Sequence, residues 1–263
     1  MKIKYFLILL LFLTAFCISE KVQASHFAGG DLTYKCVGQD SFQITTKIYR
    51  DCSGLTFTVP FISFQLIATH PTSNSNRIAS VQIYSRQISV VDFDCSTTIS
   101  RCLPNSNINY GLQEIIFDTI LHLPSVFGAN WDSSFCKIYF LTNLGGIRNQ
   151  PTNLVGGTMA LYCYINRCEA PKNNSAQLLN KPNLLICNGA LISFNVGAID
   201  TLDYDSFSYA MISPQDGFNS SVAFLSGFSL QKPFIYLGMI GNDLNVDPIK
   251  GDLKFYSTQS QQP

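Results

Sequence analysis

Asp31-Leu32-Thr33-Tyr34-Lys35-Cys36, followed by Val37-Gly38-Gln39-Asp40-Ser41 and then Phe42-Gln43-Ile44-Thr45-Thr46-Lys47-Ile48, is the stretch that decides the fold class. Leu32, Tyr34 and Cys36 alternate with Thr33 and Lys35, turn residues intervene, and Phe42, Ile44, Thr46 and Ile48 resume the alternation. A period of two with β-branched and aromatic residues on one side predicts a β-hairpin with one buried face.

Working outward, the same signature predicts strands over Phe61 to Ala68, Arg77 to Tyr84, Gln87 to Val91, Leu112 to Leu123, Phe135 to Thr142 and Thr158 to Ile165, parted by Asn-, Ser-, Pro- and Gly-rich loops. Leu112 to Leu123 could also be a helix, but Ile115-Ile116-Phe117 and Thr119-Ile120 favour a strand. Charged residues are 13% of the 263-residue chain and aromatics also 13%. Amphipathic helices need more Glu and Lys than this, so composition also points to an all-β protein. The formal net charge is zero and provides no global field to recruit nucleic acid.

Arg167 to Pro182 holds Pro171, Lys172, Asn173, Asn174, Ser175, Asn180 and Lys181 and few core candidates, so a domain boundary is expected there. Beyond it Asn183 to Cys187, Leu191 to Val196, Phe207 to Ile212, Ser221 to Phe224 and Asp252 to Tyr256 read as shorter strands. The expected organisation is a first β-sandwich over 25–166, a linker over 167–182 and a second, smaller β domain over 183–263, both Ig-like or cadherin-like. The sequence stops at Gln261-Gln262-Pro263 without a clear last strand, so the expectation is either that the last strand is missing or that the sequence is a fragment.

Residues 1–24 read as a signal peptide. Lys2 and Lys4 start it, Tyr5 to Ile18 is an apolar run, and Val22-Gln23-Ala24 suits a peptidase cut before Ser25. That run is short for a membrane span, and Phe16 stands where a lipobox needs a small residue before Cys17. No later apolar run is long enough to cross a bilayer. The expected location is secreted or at the cell surface, or in the periplasm, and the partners are surface proteins or glycans.

Eight cysteines follow the signal peptide: Cys36, Cys52, Cys95, Cys102, Cys136, Cys163, Cys168 and Cys187. An even number in an exported chain predicts disulfides, whereas zinc would need tighter Cys pairs and more histidine than His26, His70 and His122 provide. Spacing alone leaves the connectivity open. The least strained scheme pairs Cys36 with Cys52, Cys95 with Cys102, Cys163 with Cys168 and Cys136 with Cys187.

The segments Ser25-His26-Phe27-Ala28-Gly29-Gly30-Asp31-Leu32-Thr33-Tyr34-Lys35-Cys36 and Ile48-Tyr49-Arg50-Asp51-Cys52 resemble the N-terminal region of large exported Bacteroidetes surface proteins, of the gliding motility-associated or PKD-containing type. Asn173-Asn174-Ser175, Ile186-Cys187-Asn188-Gly189 and Asp200 to Tyr209 fall in that family's order. The chain departs from it at Cys136-Lys137-Ile138, where the family has adjacent cysteines followed by Arg-Asn, and it adds Cys163 and Cys168. The resemblance implies Ig-like domains in an adhesin or surface-layer part.

Asp200-Thr201-Leu202-Asp203-Tyr204-Asp205 is the best metal candidate, because closely spaced carboxylates suit calcium. Asp200, Asp203 and Asp205 would be the ligands, although Tyr204 stands where a tight calcium loop has glycine. A plain polar loop is the alternative, and no other cofactor is implied. For catalysis, three histidines offer few bases, no G-x-S-x-G elbow occurs, and no phosphate-binding glycine motif appears. Glu114, Asp118 and Asp132 are the carboxylates that convergence could recruit for sugar hydrolysis. Trp131 with Phe127 and Phe135 reads as core or as an aromatic platform for a glycan. The sequence therefore reads as a non-catalytic module for adhesion or surface-structure assembly, with a carbohydrate-binding or hydrolytic surface protein as the alternative.

Overall fold

The computed structural model describes residues 27–54, 60–73, 75–92, 98–144, 153–155, 158–181, 191–233 and 244–256. The signal-peptide residues, His26, Cys95, the Asn183 to Cys187 strand, Phe234 and Asn242-Asp243 lie outside them. Among the described residues, no helix is long and apolar enough to cross a membrane.

The chain is all-β, and its first half is one large antiparallel sheet. The opening hairpin forms as its alternation predicts: β1 (Phe27–Gly38) pairs with β2 (Ser41–Asp51), with Asp40 in the turn at φ 52°. There follow β3 (Phe61–Thr69), β4 (Asn76–Val90), β5 (Leu112–His122), β6 (Lys137–Leu144) and β7 (Met159–Asn166). The strand order is β1-β2-β5-β4-β3-β6-β7. Leu112 to His122 is a strand, as its branched and aromatic content predicts. Leu123 leaves it instead to open a short helix, α1 (Leu123–Phe127), because Pro124 lacks the N–H a ladder needs but suits a first helical turn.

The two strands predicted over Arg77 to Tyr84 and Gln87 to Val91 are one, β4. Its first part pairs with β3, and after an irregularity at Arg86 its second part pairs with β5. A bulge of this kind bends a strand and raises its twist, so β4 carries the sheet round a corner. The inner faces then meet. Phe42, Ile44 and Ile48 of β2, Ile115 and Phe117 of β5, Ile62, Phe64 and Leu66 of β3, and Ile138 and Phe140 of β6 share one buried core. The Phe140 ring lies 5.8 Å from Tyr34 and 6.1 Å from Phe42, joining the two ends of the sheet. Gly30 permits this approach of β1 to β7: a Cβ there would sit 2.7 Å from the Lys47 carbonyl and 2.8 Å from Leu161 Cδ1.

The disulfides differ from the expected scheme in every pair the structure describes. Cys52 joins Cys102 and Cys136 joins Cys168, while Cys36 and Cys163 are free thiols. Pairing by nearness in sequence failed because Cys36 and Cys163 lie in strand interiors, packed on the core, whereas Cys52, Cys102 and Cys168 lie just outside strands where loops meet. Burial pushes the Cys163 thiol far up, which keeps it protonated.

The stretch read as a linker is tied down over residues 167–181. Besides the Cys168 disulfide, the Arg167 amide donates to the Cys136 carbonyl at 2.7 Å. The Tyr34 amide donates to Ser175 Oγ, and the Cys36 amide to Asn174 Oδ1, each at 2.8 Å, which satisfies the outer edge of β1. Downstream elements are short: β8 (Gln177–Leu178) pairs with β10 (Ala198–Ile199), β9 (Leu191–Asn195) and β13 (Asn245–Val246) flank β14 (Asp252–Tyr256), and β11 (Gln215–Gly217) pairs with β12 (Ser220–Ser221). The strand expected over Phe207 to Ile212 is irregular chain, and that over Ser221 to Phe224 shrinks to the end of β12 and a bridge from Phe224 to Leu154.

Candidate functional site

Asp132 turns the chain after α1 by accepting the Ser134 amide at 2.9 Å, and this places Trp131 and Asn130 opposite the β3–β4 loop. The result is an open cleft of about 560 Å³ lined by His70, Ser75, Arg77, Asn130, Trp131, Asp132 and Phe135, among others. Trp131 is a wall of this cleft but not a free platform. The Arg167 guanidinium lies over its ring at 4.7 Å, and Phe127 lies 5.8 Å away at a 30° tilt. Arg167 is itself fixed by an ion pair with Asp40 and by donating to the Phe135 carbonyl at 2.9 Å. Arg77, Asn130, Asp132 and Ser133 are exposed there and His70 is half-buried, and the amide of Ser134 holds the Asp132 carboxyl below the usual carboxylate range.

The cleft residues that sequence reasoning missed are His70 and Arg77, which enter it from the β3–β4 loop and the start of β4, and Arg167, which supports it from a distant segment. Arg167 stands next to Cys168, and the Cys136–Cys168 bridge brings it there. A cysteine pairing read correctly would have placed it.

The predicted carboxylate trio does not converge. Glu114 and Asp118 both project from the outer face of β5, whereas Asp132 sits at the cleft. Glu114 is buried and accepts from Tyr49 OH at 3.1 Å, Ser89 Oγ at 3.5 Å and Lys181 Nζ at 2.9 Å. Asp118 accepts from Gln43 Nε2, from Thr45 Oγ1 at 2.9 Å and from Arg86 at 3.1 Å. His122 Nδ1 lies 2.8 Å from Ser125 Oγ, a base beside a hydroxyl, but this exposed contact spans one helical turn, and no carboxylate among the described residues orients the ring. Arg50 is buried and bonds Gln113 and the Gly54 carbonyl, and Asp51 caps the Ser53 amide, so these contacts fix the end of β2.

The predicted calcium loop does other work. Asp200 accepts the amides of Leu202 at 3.0 Å and Asp203 at 2.9 Å, and these bonds hold its carboxyl below the usual range. Asp203 accepts both the amide and the side-chain N–H of Asn174, at 2.6 and 2.9 Å, and so grips the segment that edges β1. Tyr204 takes the left-handed conformation at φ 58° where the sequence offers no glycine. Among the described residues no group of three or more His, Cys, Asp or Glu side chains is placed to hold a metal, so Asp200, Asp203 and Asp205 are not brought together as ligands. Phe218 packs 4.8 Å from Tyr139 and 6.1 Å from Tyr162, which docks the β11–β12 hairpin on the outer face of the large sheet.

Compared with family models, curated proteins and solved structures, the chain matches none.

Proposed function

We propose that the chain is a non-catalytic exported module of the cell surface, serving adhesion or the assembly of a surface structure. In this reading residues 1–24 direct export, 25–166 and 183–263 form two Ig-like β-sandwiches, and 167–182 is the tied joint between them. The carrying observation is how the polar groups are spent. Glu114, Asp118, Asp200, Asp203 and Arg167 each bond within the frame, and disulfides fasten the loops at its ends. A rigid cross-linked sheet with loops at its margins suits presentation of a binding surface. The resemblance of the opening segment to exported Bacteroidetes surface proteins agrees with it. The test is surface labelling of intact cells with antibody to the chain, together with N-terminal sequencing. Labelling with a mature start at Ser25 is expected, and recovery confined to the cytoplasm with Met1 retained would refute the reading.

The cleft favours a second reading, carbohydrate binding. Its rim alternates hydrogen-bonding groups with aromatic edges, the composition sugar sites use, although Trp131 contributes a supported wall rather than an open stacking face. A glycan array with the purified chain would detect it. Binding should fall at least roughly tenfold in Arg77→Ala and His70→Ala, which remove one hydrogen-bonding group each, and should be retained in Arg86→Ala, away from the cleft. An array without any bound sugar removes this reading.

A further inference from the structure

On the outer face of the sheet a lysine of β2 and an aspartate of β1 face each other, with a buried glutamate of β5 on the same side. Asp31 and Lys47 are direct partners across the β1–β2 ladder. Lys47 Nζ lies 3.8 Å from Asp31 Oδ2, which is too far for a hydrogen bond. The Asp31 side chain is only 9% exposed, and its Oδ1 is buried without a hydrogen-bond partner. Native structures rarely leave a buried carboxylate oxygen unbonded, so this one calls for an explanation. An ordinary buried ion pair would close to bonding distance and occupy its remaining lone pairs.

Two further features bear on the chemistry. Burial, with the charge of Glu114 adding to it, raises Asp31 to about 6 against the pull of Lys47, so a share of the side chain is the neutral acid near neutrality. Glu114 is buried on the same face of the sheet, with Tyr49 between it and β1. The charged and titratable groups of this patch are thus Asp31, Lys47, Tyr49, Glu114 and Lys181, and Lys181 reaches in from the tied segment to pair with Glu114.

We propose that Lys47 and Asp31 condense into an intramolecular amide. The Lys47 ammonium gives a proton to the Asp31 carboxylate, and the neutral amine attacks Asp31 Cγ. The Nζ–Cγ bond forms, the bond from Cγ to the hydroxyl breaks, and the hydroxyl takes one proton from Nζ and leaves as water. An ammonium and a carboxylate become an amide and water, and no oxidant, reductant or co-reactant is needed. The product removes two charges from a covered surface and joins β1 covalently to β2. That bond resists peeling of the sheet's first strand, which the two disulfides of the described residues do not touch.

Intact-mass spectrometry of the purified, fully reduced chain tests this directly. The expected mass is that of the sequence less one water, and proteolytic mapping should recover a branched peptide joining the segment with Lys47 to that with Asp31. Lys47→Arg keeps the charge but should restore the missing water. A reduced wild-type chain at full mass, with Lys47 and Asp31 in separate linear peptides, overturns the proposal.

Discussion

Asp31 shows how one side chain can set the pH response of a fold. Beside Lys47, burial raises Asp31 to about 6 from the ordinary 3.8, and in a Lys47→Arg chain, where no amide forms, a cation still stands beside the same buried carboxyl, so an upward shift is expected to persist. A raised carboxyl holds its proton in the folded state at pH values where the unfolded chain has already released it. Stability is therefore lost as pH rises between these two values and levels off above 6. The total is on the order of 2 to 3 kcal/mol, since each pKa unit is worth about 1.4 kcal/mol. Urea melts of Lys47→Arg from pH 4 to 8 should show this decline once other titrations are subtracted. Adding Asp31→Asn, which cannot ionise, should remove it and leave the double variant the more stable of the two at pH 8. A pH dependence identical in both chains would show that Asp31 does not titrate in this range.

Among the elements, the outer edge of β1 is the one whose integrity depends on a distant segment. Asn174 accepts the Cys36 amide through Oδ1 and donates through Nδ2 to Asp203, so it is the link between β1 and the Asp200 turn. Asn174→Ala leaves a strand amide without its partner, and such a loss costs about 1 to 3 kcal/mol when the group is shielded from water. Denaturant melts should show a loss of that size, and hydrogen exchange should quicken at Cys36 while Phe42, across the hairpin, is unaffected or less affected. Exchange unchanged at Cys36 would mean that the edge is held by something else. This contact also marks where the sequence stopped being readable. The strands of the large sheet were legible because residues such as Leu32, Tyr34, Phe42 and Ile44 alternate against one core, a local pattern with a physical cause. Asn173-Asn174-Ser175 has the composition of a linker, and its role comes from partners about 140 residues away that no local pattern reports. The Phe207 to Ile212 segment has strand composition but no ladder partner among the described residues, because β-propensity records fit to a half-buried surface, which only the neighbours can supply. His70, Arg77 and Arg167 escaped notice for the same reason, since the cleft is assembled from three separated segments.

At the scale of the whole molecule, the two disulfides among the described residues act at different distances along the chain, and their loss should be ranked by the loops they close. Cys52–Cys102 spans 50 residues and Cys136–Cys168 spans 32. Restricting the unfolded chain over such loops is worth about 4 kcal/mol for the longer and roughly a few tenths less for the shorter, if entropy is the only contribution. The structure gives a reason for the order to invert. Cys136–Cys168 also anchors Arg167 over Trp131 and starts the segment that edges β1 and ends on Glu114, so its removal loosens native contacts as well. Cys52–Cys102 holds a loop whose own bonds to the sheet include the Cys52 amide on the Gly111 carbonyl at 2.9 Å and the Arg101 amide on the Tyr110 carbonyl at 3.0 Å, and these remain when the bridge is gone. The paired variants Cys52→Ser/Cys102→Ser and Cys136→Ser/Cys168→Ser, compared by urea melts and by Trp131 fluorescence, separate the two contributions. The second pair should lose at least as much stability as the first despite its shorter loop, and it alone should shift the Trp131 emission before global unfolding. A larger loss in the first pair, with Trp131 unchanged in both, would mean that loop entropy alone governs and that the segment from 167 to 181 stays in place without its covalent anchor.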